Sequence, residues 1–127
     1  MKKLSISKLQ ELLWNECKRI IRKIYIRDDG KWECYTCGKL IEYPQDAHTG
    51  HFLCKSTCGS FLKYDLRNLR VQCMACNVWR GGNGAIFYRN MVAREGQEYV
   101  DTLFIDKQKS IKAYDYFLEL LDKYKKM

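Results

Sequence analysis

Apolar positions in the first quarter of the chain recur at helical steps. Leu9, Leu13, Cys17, Ile20, Ile21 and Ile24 are spaced by three and four residues, with Lys18, Arg19, Arg22 and Lys23 on other faces. The pattern predicts an amphipathic helix from about Ser7 to Ile26, with Ser7 and Gln10 as a capping box and Arg27-Asp28-Asp29-Gly30 as the stop. Cys17 lies on the apolar stripe and reads as a small buried residue rather than a ligand. Between residues 31 and 53 the periodicity shortens, and Trp32, Tyr35 and Ile41 suit short strands. Lys55 to Lys63 reads as an irregular loop, and Leu66 to Val71 as a short extended segment. Beyond the glycine-rich break at residues 81–84 the helical period returns. It predicts helices over about Ala85–Arg94, Gln97–Phe104 and Lys109–Tyr124, with Gly96 capping the first of them. Ile111, Tyr114, Leu118 and Leu121 give the last one a heptad-like seam, which serves either a partner chain or the first helix.

This order of elements predicts an α+β fold in one domain over residues 1–127. An N-terminal helix (about 7–27) and a helical extension (about 85–126) flank a core at about 31–80. A hydrophobic content of 46% and a charged content of 30% are globular values. The loop-rich middle needs more than hydrophobic burial to hold it, and a structural metal would supply the deficit. The formal net charge of +8 points to an anionic partner, with nucleic acid first among the candidates. No stretch approaches the roughly 20 apolar residues of a membrane span. Seven cysteines are an odd number, and the first residues lack the apolar run of a signal peptide. Together these features predict a cytoplasmic protein whose thiols are reduced and available to metal.

The cysteines carry the strongest chemical signal. Cys34-Tyr-Thr-Cys37 and Cys73-Met-Ala-Cys76 are two Cys-x-x-Cys pairs, the spacing that lets both sulfurs of one turn reach a single tetrahedral Zn²⁺. Cys54 and Cys58 are more loosely spaced and read as free thiols in a loop. Both histidines of the chain, His48 and His51, lie inside the segment that the four cysteines close, and Asn77 directly follows the last of them. Phosphodiester hydrolysis needs an activated water and a cation on the phosphate. A neutral histidine near its ordinary pKa takes a proton from water at physiological pH. An unbroken strand would place His48 and His51 on opposite faces, and Gly50 between them permits a bulge that unites them. The plain alternatives are Asn77 as a helix cap and the histidines as surface or half-buried polar residues. Arg67, Arg70, Arg80 and Arg89 cluster around the second pair as candidate phosphate contacts. Trp79 and Tyr88 are candidates for stacking on unpaired bases.

Gly50-His51-Phe52, Asn68, Gln72-Cys73-Met-Ala-Cys76-Asn77, Gly82-Asn83 and Tyr88-Arg89, with the turn Arg94-Glu-Gly-Gln-Glu98, resemble the phage recombination proteins called NinG or Rap. The resemblance runs from about Ile26 to Asp101. It implies a ββα-metal (HNH-like) nuclease core, action on branched DNA such as Holliday junctions, and a phage or prophage protein working in the bacterial host cell. It further implies His51 as general base, Asn77 as helix-borne ligand of a catalytic divalent cation, and Asn68 as the residue that orients the catalytic loop. His48 falls where these proteins more often carry Asp. The ligand is therefore His48 or, with a shifted strand, Asp46, and the ion is Mg²⁺ or Mn²⁺, or else Co²⁺, Ni²⁺ or Zn²⁺. Paired nicks in a four-way junction favour a homodimer. The alternative is a noncatalytic zinc-dependent module that binds DNA or assists recombination.

Overall fold

The computed structural model describes residues 3–127. Helix α1 spans Ile6–Tyr25, and its N-cap is Ser5, whose side chain accepts a hydrogen bond from the Lys8 amide at 3.1 Å. Ser7 therefore lies inside the first turn, and the expected capping box is replaced by a cap two residues earlier. Leu9, Leu13, Cys17, Ile20 and Ile21 are buried along one stripe, while Ile24 is exposed because the last turn of the helix outruns the core. The Cys17 Sγ donates to the Tyr64 carbonyl, and burial pushes its thiol up to about 12, so it stays a protonated core group.

Two small antiparallel sheets follow. Strands β1 (Trp32–Glu33) and β2 (Leu40–Ile41) form a hairpin that holds Cys34 and Cys37 in its turn. Gly38, at φ +78°, closes that turn with a bond to the Cys34 carbonyl. Strand β3 (His48–His51) pairs with β4 (Leu69–Gln72) in a continuous register from His48↔Gln72 to His51↔Leu69. There is no bulge. Gly50 has another role: a Cβ there would come within 1.9 Å of Gln72 Oε1. Gln72 is fully buried, and its Nε2 donates to Thr36 Oγ1 and to the Gly82 carbonyl, so it cannot step aside without losing both bonds. Gly50→Ala is therefore expected to destabilise the fold by about 1–3 kcal/mol, read as a lower midpoint in urea unfolding.

Residues 54–63 are not wholly irregular, since α2 (Ser60–Lys63) forms in their second half. A π-helical turn over Ala75–Trp79 carries the chain out of the second cysteine pair, and Arg80–Asn83 lead into α3 (Gly84–Glu95). Gly96, at φ +97°, ends α3 and opens α4 (Gln97–Asp106). The last helix, α5 (Ala113–Lys125), begins four residues later than its periodicity predicts, because Lys109–Lys112 run without helical structure after the turn that ends α4. Its buried residues Phe117, Leu120, Leu121 and Tyr124 join the α1 stripe, whereas Leu118 is exposed and Ile111 lies outside the helix. Of the seam residues, Leu121 joins the α1 stripe and Tyr114 packs against the same core, one of the two uses the periodicity leaves open.

The core has two parts. One joins α1 and α5 to β1, β2, β4 and the cysteines Cys34, Cys73 and Cys76. The other packs Tyr35, Phe52, Leu53, Cys58 and Leu62 against Phe87 and Met91 of α3 and Val100 and Leu103 of α4. Mixed helices and small antiparallel sheets make the fold α+β. None of the described helices is long and apolar enough to cross a membrane.

Candidate functional site

The hairpin turn and the start of the π-helical turn bring Cys34, Cys37, Cys73 and Cys76 together. Their four sulfurs lie within 4.8 Å of one another, and Cys37 Sγ stands 3.7 Å from Cys73 Sγ. Ligands at a Zn–S distance of about 2.3 Å in a tetrahedron would be about 3.8 Å apart, so the set is sized to hold one metal ion. Hydrogen bonds lower Cys34 and Cys76 despite burial, whereas burial raises Cys37 and Cys73. Burial alone would raise the Cys76 thiol, but hydrogen bonds from Thr36, Asn83 and Arg80 overcome it and bring Cys76 down to about 6. Arg80 Nη1 donates to Cys76 Sγ at 3.4 Å and Asn83 Nδ2 at 3.6 Å, so both side chains support the sulfur from outside. Cys54 and Cys58 take no part in the cluster: Cys54 is exposed, and Cys58 is buried against the second core.

Beside this centre lies a cleft of about 350 Å³, lined by Trp14, Thr49, His51, Lys55, Asn77 and Gly82 among others. His51 is half-buried and fixed on two sides. Its ring stacks on Trp14 with centroids 5.1 Å apart and an interplanar angle of 12°, and Nε2 lies 2.8 Å from the Lys63 carbonyl. A carbonyl can only accept, so Nε2 carries the proton and Nδ1 keeps its lone pair. Burial, the largest influence, lowers the His51 pKa below its ordinary value despite that hydrogen bond, and Lys55 and Lys63 act in the same direction. The ring is therefore neutral at physiological pH.

Because β3 is regular, His48 and His51 leave opposite faces of the strand. Asn77 connects them: its Nδ2 lies 3.2 Å from His48 Nδ1, and it lines the cleft with His51. Asn77 is held by its own amide, which donates to the Cys73 carbonyl, so the cysteine centre sets its position. Thr49 Oγ1, between the two histidines, is buried with no hydrogen-bond partner. Asp46 is exposed on the turn Pro44–Asp46 and makes no ion pair among the described residues.

Asn68 is fully buried. Its Oδ1 accepts from the Leu53 amide at 2.8 Å and its Nδ2 donates to the Leu53 carbonyl at 3.1 Å, while its own carbonyl accepts from the Phe52 amide. It pins the two residues that follow His51.

The four arginines separate. Arg70, expected among the phosphate contacts, is 2% exposed; its guanidinium sits among the rings of Tyr25, Tyr35 and Tyr99 and 3.5 Å from Glu95. Arg67 is committed to Asp65 at 2.7 Å and Asp106 at 2.9 Å. Arg70 thus lies in the core, and Arg67, about a third exposed, is matched by two carboxylates. Arg80 serves Cys76, and only Arg89 is exposed with no such commitment. Trp79 is 75% exposed, whereas Tyr88 joins Phe52 and Phe104 in an aromatic cluster. Trp14, Thr49, Lys55 and the Lys63 carbonyl are site components that the motif pattern does not reveal. The one signal for them in the sequence is a tryptophan flanking the apolar stripe of α1.

Four cysteines close enough to hold one metal ion, three of them buried in an α+β fold with a histidine–asparagine pair and a second histidine at their side, mark a small protein organised around a cysteine cluster. The chain belongs to the NinG family: the family model described as Bacteriophage Lambda NinG protein matches residues 1–127. The Protein ninG of Escherichia phage 933W is 34% identical over 80 residues, which is 62% of this chain and 38% of that protein. The Protein ninG of Escherichia phage lambda is 32% identical over the same shares. That of Salmonella phage P22 is 30% identical over 86 residues, 67% of this chain and 41% of that protein. The matched stretches thus span about two fifths of the relatives' length. No solved structure is significantly similar.

Proposed function

We propose that the protein is a metal-dependent DNA endonuclease with an HNH-like active site, acting on branched recombination intermediates such as four-way junctions. The observation that carries the reading is the state of His51. It is neutral, stacked on Trp14, bonded through Nε2 to the Lys63 carbonyl, and has Nδ1 free beside a cleft that Asn77 also lines. That is the arrangement a general base requires.

In this reading His51 Nδ1 takes the proton from the attacking water, and the Lys63 carbonyl, already accepting from Nε2–H, stabilises the imidazolium that forms. Asn68 keeps the segment after His51 in place, and Trp14 stops the ring from rotating. His48 and Asn77 are the groups that would hold the catalytic cation; the Asn77 Nδ2 now faces His48 Nδ1, so the amide would turn its oxygen to the ion, and one imidazole nitrogen with one amide oxygen suits Mn²⁺, Co²⁺ or Ni²⁺ better than Mg²⁺. A divalent cation bound there would neutralise charge on the scissile phosphate and the leaving oxygen. Lys55, which lines the cleft, is the nearby cation available to the DNA, and Arg89 is an exposed one on α3. Zinc on the four cysteines would be structural.

Asn77→Ala tests the cation assignment. The Mn²⁺ concentration giving half-maximal nicking is expected to rise at least about tenfold, with the midpoint of thermal unfolding little changed. An unchanged half-point would remove Asn77 from the cation. DNA binding without nicking under any ion would leave the noncatalytic zinc module as the better reading.

A further inference from the structure

We propose that the outward flank of α1 is the track on which the nucleic-acid backbone lies as it enters the cleft, with Lys18, Arg22 and Lys23 as the phosphate contacts. The inference rests on the nuclease reading for what happens at the end of the track, but its own claim is about binding. It replaces Arg67 and Arg70, which the fold uses internally.

One row of α1 residues, four apart, runs Gln10–Trp14–Lys18–Arg22. Each end of it is anchored beside the candidate site. Gln10 Oε1 accepts from Lys63 Nζ and from the Tyr64 hydroxyl, Trp14 stacks on His51, and Arg22 Nε donates to the Ala47 carbonyl next to His48. Trp14 to Arg22 is eight helical residues, about 12 Å. Ala47 to His51 is four residues of extended chain, about 13 Å. The helix and β3 therefore run antiparallel and in step, and Lys18 stands midway between the two histidine anchors.

The same flank forms a groove of about 450 Å³, lined by Lys18, Arg19, Arg22 and Lys23 with Trp32 and Pro44 among its walls, and no carboxylate lines it. Arg19 is already committed to Glu16 and to the carbonyls of Tyr124 and Met127. Lys18, Arg22 and Lys23 have no carboxylate within ion-pair distance among the described residues. Lys18, Lys23 and the Nη groups of Arg22, whose Nε is taken by the Ala47 carbonyl, are cations without a carboxylate partner among the described residues, and beside the proposed phosphodiester site they fit a polyanionic strand. An ordinary solvated helix face would have no reason to be tied at both ends to the segment carrying the histidines.

The test is the salt dependence of binding, measured by fluorescence anisotropy with the zinc-loaded chain and a labelled four-way junction. Each phosphate that is no longer neutralised should make the slope of log affinity against log salt shallower by about 0.9. Lys18→Gln/Arg22→Gln/Lys23→Gln is expected to lower the slope by about two to three, and Lys18→Gln/Lys23→Gln, which leaves the Arg22–Ala47 bond intact, by about two. Lys107→Gln/Lys112→Gln removes the same charge as that double variant from the segment between α4 and α5, which lines neither the groove nor the cleft, and is expected to leave the slope unchanged. Equal slopes in the wild type and the α1 variants would overturn the inference, as would an equal drop in this control or no DNA binding by the wild type. So would loss of binding to phosphatidylserine-containing vesicles with an unchanged DNA slope. Retained, slope-sensitive binding with no cleavage would instead count against the nuclease reading alone.

Discussion

His51→Ala should cut DNA nicking by about 10²–10⁴-fold while leaving junction affinity and the unfolding midpoint close to wild type. The size follows from removing a general base, and the selectivity follows from position. His51 is half-buried at the end of β3, and its contacts are one ring stack and one hydrogen bond to a main-chain carbonyl, so the alanine variant forfeits little packing. The pH dependence should agree. Burial lowers the His51 pKa below its ordinary value, so the neutral, proton-accepting form predominates at pH 7 and above. Nicking should therefore be flat above neutrality and fall as pH drops below the ordinary histidine value. Stability should move the same way. The folded state holds the neutral ring more tightly than the unfolded chain does, so stability present above the unfolded pKa is lost as pH falls through the lowered folded one.

Removing the metal from the cysteine centre should have the largest effect on the fold itself. Elemental analysis is expected to find one zinc per chain, and a strong chelator or Cys76→Ser should lower the thermal midpoint by more than about 10 °C. Structural zinc contributes about 10–16 kcal/mol of apparent binding energy in isolated fingers, and lower stability translates into roughly 2–8 °C per kcal/mol over the range of domain sizes that brackets this one. Cys34, Cys73 and Cys76 are buried in the larger core, and the cluster ties the β1–β2 hairpin to the end of β4. With the ion gone, nothing would tie the four sulfurs to one another, and Asn77 would lose the anchor that sets it against His48. A midpoint unaffected by chelation would show that hydrophobic contacts alone suffice.

Some of this is legible in the residues themselves. The cysteine pairs announce their meeting because the geometry of Cys-x-x-Cys is local, and α1 announces its buried stripe for the same reason. The helix cap falls two residues before the serine that the pattern favours, since Ser5 and Ser7 offer the same chemistry and only the backbone decides between them. Arg70 departs from expectation for a different reason. An arginine beside a metal knuckle reads as surface, and its burial depends on Tyr25, Tyr35 and Tyr99, which are scattered through the sequence and converge only in the fold. No bulge brings the two histidines to one face; Asn77 instead reaches His48 from outside the strand and lines the His51 cleft. The partner that fixes the His51 tautomer is a main-chain carbonyl, which has no signature in any side chain.

Hydrolysis at the cleft between His51 and Asn77 is read in cleavage itself. Zinc-loaded protein, freed of other divalent ions, would be incubated with end-labelled four-way junction and matched linear duplex in Mg²⁺, Mn²⁺, Co²⁺ or Ni²⁺. Paired nicks in the junction are expected, strongest in Mn²⁺ or a softer ion and absent without added metal. Tight junction binding with intact strands under every ion would rule out the endonuclease.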